Sequence, residues 1–137
     1  MGTGESMRAG NRGFTLVELL IVVVIIGILA AIAIPKFANT KEKAVVTAMR
    51  SDLRNLAGVQ ETHWVQNASY YGGVIPDVVN FAYRPSQSIT VSVVSATASG
   101  WSAQASAPGL TGQTCVIYYG DAPPIAPATV DGAVACT

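Results

Sequence analysis

Apolar side chains fill one long run near the start of the chain, from Phe14 to Ile34. Thr15 and Glu18 are the only clearly polar residues in that run. A helix of about 20 residues, rising about 1.5 Å per residue, crosses the roughly 30 Å hydrocarbon core of a bilayer. The run therefore predicts a membrane-spanning helix over residues 14–35.

After Pro35 the pattern changes to apolar positions that are three or four residues apart, with charged residues between them. The apolar positions are Val45, Val46, Met49, Leu53, Leu56, Ala57 and Trp64, and the intervening charged ones are Arg50, Asp52, Arg54 and Glu61. This spacing predicts an amphipathic helix over 36–66 with one buried face. If it continues the first helix, residues 14–66 form a rod of roughly 80 Å at about 1.5 Å per residue.

Two residues weaken the predicted helix in its first half. Gly27 lowers helix propensity, and Pro35 lacks a backbone donor and crowds the preceding turn. We expect a kink near Pro35, although membrane helices also tolerate both residues without one.

The rest of the chain is rich in turn residues and short alternating segments. Glycines, prolines and scattered rings over 67–85 predict a connecting loop packed by its aromatic side chains. Apolar and small polar residues alternate over Ser86–Thr97 and again over Trp101–Ala105, and Thr114–Tyr119 is a third β-rich run. Residues 86–137 are thus expected to form an antiparallel sheet with an irregular or edge segment at its end. The predicted fold class is α+β, with one sheet face covering the apolar stripe of the helix.

Length and charge limit the possible functions. The chain has 137 residues and a formal net charge of +0, so no extended basic surface for nucleic acid is expected. Arg8 and Arg12 precede the span, and the positive-inside rule places this leader, residues 1–13, in the cytoplasm. The C-terminal part is then expected outside.

Glu18 is unusual because a carboxylate inside a bilayer costs several kcal/mol unless it is paired, protonated or near an interface. It lies one helical turn after Phe14. Cleavage after Gly13 would give Phe14 a new α-amino group at the same end of the helix. That group is a candidate partner for the acid.

The sequence Gly-Phe-Thr-Leu-Val-Glu at 13–18, with the apolar run, Gly27 and Pro35, resembles the N-terminus of type IV pilins and of type II secretion pseudopilins. The likeness covers residues 13–37, about a fifth of the chain. It implies a pilin fold, a prepilin peptidase that cleaves after Gly13 and N-methylates Phe14, and a subunit that waits in the inner membrane with its N-terminus in the cytoplasm.

The resemblance also implies how such a subunit works. Identical or related pilin subunits polymerise through the N-terminal helix into an extracellular pilus, with the help of assembly machinery in the inner membrane. Glu18 is expected to pair with the Phe14 amine of a neighbouring subunit, or otherwise with its own amine or the membrane interface. The interval from Gly27 to Pro35 can lose its helical form in assembled relatives.

Cys115 and Cys136 both fall in the part expected outside, where thiols are oxidised. We expect a disulfide that closes a loop of about twenty residues and stabilises the domain by about 3 kcal/mol. Zinc binding and a redox-active pair are weaker alternatives, because companion ligands and a Cys-x-x-Cys spacing are missing from the sequence.

Candidate catalytic chemistry is sparse in the sequence. His63 is the single histidine, and we interpret it as a surface or partly buried structural residue. The sequence contains no pattern typical of a catalytic triad, a phosphate loop or a metal site, so we expect a protein that is not an enzyme and uses no cofactor or metal. Asn67-Ala68-Ser69 matches the glycosylation pattern, which is short and often accidental.

Three functions remain to be compared. The first is a type IV pilus subunit serving adhesion, motility or DNA uptake. The second is a pseudopilin of a type II secretion system; the cysteine pair and the scarcity of acids for a calcium loop favour the pilin. The third is a membrane-anchored binding module, which leaves Glu18 unexplained. Translation could start at Met1 or at Met7.

Overall fold

A computed structural model of the chain describes residues 13–77 and 79–137. The chain divides into two compact units, Met1–Ala38 and Asn39–Thr137, and we call the second unit the head. The predicted leader, residues 1–13, lies outside the described residues except for Gly13.

One α-helix, α1, extends from Leu16 to Asn67 and contains 52 residues. The predicted span and the predicted amphipathic helix are therefore both helical, and the helix is assigned through Gly27 and Pro35 without interruption. The kink itself stays a prediction. In the first unit the large apolar side chains are exposed, from 44% at Val22 to 81% at Leu16.

In the head, the later part of α1 buries the predicted apolar face. Met49, Leu53 and Leu56 are completely buried, at the three- and four-residue spacing that sequence periodicity predicts. The sheet residues packed in the same core are Val91, Trp101, Ala103, Ala105, Cys115 and Ile117. The helix and one face of the sheet thus share a single core.

The sheet contains four antiparallel strands in the order β1-β2-β3-β4. The strands are β1 Thr90–Ala96, β2 Gly100–Ser106, β3 Thr114–Gly120 and β4 Ala135–Cys136. Consecutive strands are neighbours, as expected for chains with short connections. The predicted α+β fold is confirmed.

The first strand begins later than its alternating pattern predicts, at Thr90 rather than Ser86. Ser88 has a φ of 66°, in the left-handed region, which a strand does not accommodate. The pairing of β1 with β2 also shifts between Val93 and Ser95. Val94, the extra residue in this bulge, is 55% exposed, and beyond the bulge Ala96 packs against the core.

Gly120 is the last residue of β3 and lies close to Ser99, in the turn between β1 and β2. Its φ is +63°, and an added Cβ would lie 2.0 Å from the carbonyl oxygen of Ser99. Only glycine combines that conformation with so close an approach. A side chain at position 120 would therefore disturb the end of β3, just before Asp121.

Asp52 lies among the polar positions of the helix pattern, yet it is only 3% exposed. Its carboxylate accepts hydrogen bonds from the backbone N–H of Ser86 at 2.9 Å and from the Ser86 hydroxyl at 2.8 Å. The hydroxyl of Tyr83 donates to the Asp52 carbonyl at 2.8 Å. Asp52 thus fastens the end of the connecting loop to α1, and it is buried although it lies between the apolar positions of the pattern.

Replacing Asp52 with Ala should lower the free energy of unfolding by about 1–3 kcal/mol, because two donors of Ser86 lose their buried acceptor. Urea unfolding of the full chain in detergent, followed by tryptophan fluorescence, measures the change. Arg54→Ala removes an exposed charge from the same helix and serves as the control. Equal effects of the two substitutions would contradict the role of Asp52.

The predicted loop packs by its rings as expected. Tyr71 and Phe81 stack with centroids 4.3 Å apart and planes 4° from parallel. Gln60 is fully buried; its amide donates to the Tyr71 carbonyl at 2.8 Å and accepts from the Tyr71 N–H at 2.7 Å. The Tyr71 hydroxyl donates to Asp77 at 2.6 Å.

Asp77 should make the stability of this loop depend on pH. The hydrogen bond from Tyr71, followed by those from Asn80 and Val79, holds the pKa of Asp77 well below its ordinary 3.8. A lowered folded pKa stabilises the loop above the unfolded value, and this contribution is lost as pH falls below about 4. Hydrogen exchange of residues 71–83, corrected for intrinsic rates, should therefore accelerate in acid. The Asp77→Asn variant should lack that pH dependence. The same acceleration in both proteins would contradict the role of Asp77.

Candidate functional site

The start of α1 is organised by a reciprocal pair of hydrogen bonds between Thr15 and Glu18. The backbone N–H of Thr15 donates to Oε2 of Glu18 at 2.8 Å, and the N–H of Glu18 donates to the Thr15 hydroxyl oxygen at 3.2 Å. This is a capping box, in which each side chain satisfies a backbone donor that the first helical turn leaves without a partner. The helix start is therefore encoded locally.

A third contact fixes the carboxylate more firmly, since the Thr15 hydroxyl also donates to Oε2 of Glu18 at 2.8 Å. The positive end of the helix dipole stabilises a negative charge in this first turn. The partner that the structure gives Glu18 is thus Thr15. Sequence reasoning missed this contact, although Thr-x-x-Glu before an apolar run is a known signal for it.

The predicted cleavage junction lies just before the cap. Gly13, Phe14 and Thr15 are not helical, and Phe14 is 78% exposed. Among the described residues, a side chain at Gly13 would meet no atom within 4 Å. The described residues thus leave the peptide bond between Gly13 and Phe14 exposed in an irregular segment.

The first part of α1 carries an apolar surface that is not covered in the monomer. It is long and apolar enough to cross a membrane, with a mean hydropathy of 3.2 in its best window of 18 residues, none of them buried. A large exposed apolar surface indicates contact with lipid or with other proteins. The carboxylate of Glu18 thus lies at one end of an exposed apolar helix surface, which is expected to contact lipid or other proteins.

The two cysteines form the predicted disulfide. Cys115 and Cys136 are bonded, and they are register partners across β3 and β4. Cys115 is completely buried, whereas Cys136 is partly buried. The bond holds the short strand β4 at the edge of the sheet, so the predicted edge segment is tied to the core.

The remaining candidates lie near the end of α1. Nδ1 of His63 donates to the carbonyl of Ser69 at 2.9 Å, and the ring packs edge-on against Tyr71 and Phe81. The Asn67 side-chain amide donates to the His63 carbonyl at 3.0 Å. His63 therefore joins the helix end to the loop, as a partly buried structural residue does.

Metal-ligating side chains do not gather in the part of the chain that the structure describes. Within residues 13–77 and 79–137, no group of three or more His, Cys, Asp and Glu residues is placed to hold a metal ion.

Comparison with known proteins identifies the N-terminal segment. Residues 8–34 match the family model of the prokaryotic N-terminal methylation motif. The chain is 45% identical over 60 residues to the type IV major pilin protein PilA of Myxococcus xanthus, a stretch covering 44% of this chain and 27% of that protein. It is 36% identical over 63 residues to the type II secretion system core protein G of Pseudomonas aeruginosa, covering 46% of this chain and 44% of that protein.

A third relative matches well beyond the first helix. The type IV wide pilus major component PilA4 of Thermus thermophilus is 34% identical over 90 residues, covering 66% of this chain and 69% of that protein. The chain spans less than half the length of the other two relatives. The methylation motif, the capped apolar helix and the helix-backed antiparallel sheet all agree with this extended match, and the chain belongs to the type IV pilin family.

Proposed function

We propose that this protein is a structural subunit that polymerises through its N-terminal helix into a type IV pilus. The observation that carries the proposal is a fixed carboxylate, Glu18, at the start of an apolar helix surface that the monomer leaves exposed. Packing of many such helices covers the apolar surface. Adhesion, motility or DNA uptake are the functions such a filament serves.

The first step of the proposal is processing. A prepilin peptidase cleaves the exposed bond between Gly13 and Phe14 and methylates the new amine of Phe14. The chain is a substrate there and supplies no catalyst, and we propose no enzymatic activity and no cofactor for it. Methylation leaves the amine able to carry a positive charge. After cleavage the amine lies next to Thr15, beside the capped carboxylate.

The second step is assembly, in which Glu18 sets the register. In a bundle of equivalent apolar helices, packing supplies attraction but little axial specificity. A buried carboxylate that must find the Phe14 amine of a neighbouring subunit penalises misplaced subunits more than correct ones. Thr15 assists by holding the carboxylate in one position.

Residues 14–35 form the core of the filament in this proposal, and residues 36–66 carry the head. Gly27 and Pro35 are the places where the core helix bends or loses its helical form when the filament is stretched. Low helix propensity at both positions supports this assignment. The loop 67–85 and the sheet region 86–137 form the outer surface.

Before assembly the subunit spans the inner membrane once, with residues 1–13 in the cytoplasm and the head outside, and machinery in that membrane inserts it into the filament. Charge alone does not decide this orientation, because Lys36, Lys41 and Lys43 follow the span and oppose the effect of Arg8 and Arg12. The disulfide supports an outside head, since such bonds persist in oxidising compartments.

A pseudopilin of a type II secretion system is the alternative, since a core protein G is among the relatives. The Cys115–Cys136 bond favours the pilin.

Shearing of intact cells, followed by electron microscopy and mass spectrometry, tests the proposal. We expect long surface filaments whose subunit begins at N-methylated Phe14. A subunit confined to short periplasmic structures would favour the pseudopilin. A mature subunit absent from any filament would overturn polymerisation, and an intact Gly13–Phe14 bond in filaments would overturn processing.

A further inference from the structure

Basic side chains line a cleft at one end of the head. Lys43, Thr47 and Arg50 lie on one exposed side of α1, at intervals of three and four residues. With Gln113, which immediately precedes β3, they line a cleft of about 380 Å³. An ammonium, a guanidinium, a hydroxyl and an amide are suitable donors for a carboxylate.

The one acidic residue among the described residues that line this cleft, Glu42, already has a hydrogen-bond partner within the same subunit. Its carboxylate accepts a hydrogen bond from the Gln113 amide. Nε of Arg50 donates to Sγ of Cys136 at 3.2 Å, which holds the guanidinium against the disulfide. The other N–H groups of this planar guanidinium are geometrically suited to bind a carboxylate in a bidentate manner.

Carboxylates collect at the other end of β3. Asp121 directly follows Gly120, the last residue of β3, and the N–H of Gly120 points to the Asp131 carboxylate at 3.3 Å. Glu61 accepts a hydrogen bond from the Tyr70 hydroxyl at 3.1 Å. Burial, followed by the Glu61 and Asp131 carboxylates, raises the pKa of Tyr70.

The two ends of the head are therefore oppositely charged and well separated. Gln113 and Asp121 flank β3 and are eight residues apart, which at about 3.3 Å per residue puts them roughly 26 Å from each other. Along α1, the rise of about 1.5 Å per residue puts Glu61 roughly 27 Å beyond Lys43. Both elements run from the basic cleft to the acidic end.

We propose that the acidic end of one subunit, containing Asp121 and Asp131, docks into the basic cleft of another copy of this chain. The inference rests on the proposed polymerisation, because parallel subunits in a filament bring unlike ends together. A contact between two different patches is heterologous and repeats without closing, as a filament requires. Opposite charges give this contact its specificity and disfavour contacts between like ends.

Cysteine cross-linking tests the contact in assembled filaments. Thr47 lines the cleft, and Val130, next to Asp131, is 61% exposed. In filaments carrying Thr47→Cys and Val130→Cys together, oxidation should produce a ladder of covalent multimers. Thr47→Cys paired with Val94→Cys, on the exposed side of β1, should give no ladder, and peptide mapping checks that the native disulfide persists.

Charge reversal gives a second measurement with a matched control. Lys43→Glu combined with Arg50→Glu should reduce filament yield about tenfold or more, since like charges would then meet. Arg54→Glu combined with Arg84→Glu changes two exposed bases outside the cleft and should alter the yield by less than about twofold. Membrane levels of processed subunit and the native disulfide should be equal in both variants.

The outcomes separate the two proposals. A wild-type chain that forms no filaments overturns both polymerisation and docking. Docking is overturned if the wild-type chain forms filaments, the Lys43→Glu and Arg50→Glu variant forms them at normal yield, and the Thr47→Cys and Val130→Cys pair gives no ladder. Polymerisation is unaffected by that result.

Discussion

Replacing Glu18 with Ala should nearly abolish filaments while the bond between Gly13 and Phe14 is still cleaved. The variant loses the charge that we assign to subunit register, and apolar packing alone distinguishes aligned from misaligned helices weakly. Counting sheared filaments, and measuring mature subunit in membranes by mass spectrometry, separates assembly from processing. Normal filaments from the variant would rule out the assembly role.

The capping box makes a sharper comparison possible. Glutamine at this position also completes a capping box, so Glu18→Gln keeps the helix start but removes the charge. Thr15→Ala does the opposite, because it keeps the charge and removes the hydroxyl that holds it. If charge sets register, Glu18→Gln should resemble Glu18→Ala, and Thr15→Ala should be milder. If filament yield falls in Glu18→Ala but not in Glu18→Gln, Glu18 acts only by capping the helix.

The second large effect concerns the disulfide. Replacing Cys115 with Ala and Cys136 with Ser together should lower the free energy of unfolding by about 2–5 kcal/mol. The bond closes a loop with a sequence separation of 21 and holds β4 on β3. Urea unfolding of the full chain in detergent measures the loss.

Reduction of the wild-type chain provides the matched comparison for that variant. It removes the same cross-link without changing any residue, so both samples should lose similar stability. A loss below about 1 kcal/mol in both would mean that β4 stays docked without the bond. A loss confined to the variant would point to the substituted side chains instead.

The sequence predicted the long helix and the three main strands well, because each has strong periodicity. Met49, Leu53 and Leu56 recur at helical spacing and are all buried. Trp101 and Ala103 alternate with polar residues and belong to β2. The bounds were less predictable, since the positive φ of Ser88 depends on the loop around it and the sequence alone gives no signal for it.

The candidate site was predictable in part. The motif around Glu18 is local, so its special status was visible, and the Thr15 contact could have been read from the same residues. The basic cleft could not, because it joins α1 to Gln113 across 63 or more positions of the chain. The burial of Asp52 could not be predicted for the same reason, since its partner Ser86 is 34 residues away.

The carboxylates of the head have hydrogen-bond partners that determine how the head responds to salt. Those within residues 39–77 and 79–137 accept hydrogen bonds from uncharged donors, namely Gln113, Ser86, Tyr70, Tyr71, Ser99 and Gly120. Dissolved salt screens interactions between separated charges but affects such neutral contacts far less. High salt should therefore leave the heads folded. The proposed charged contact between subunits should weaken before any head unfolds, because it depends on separated charges that salt screens.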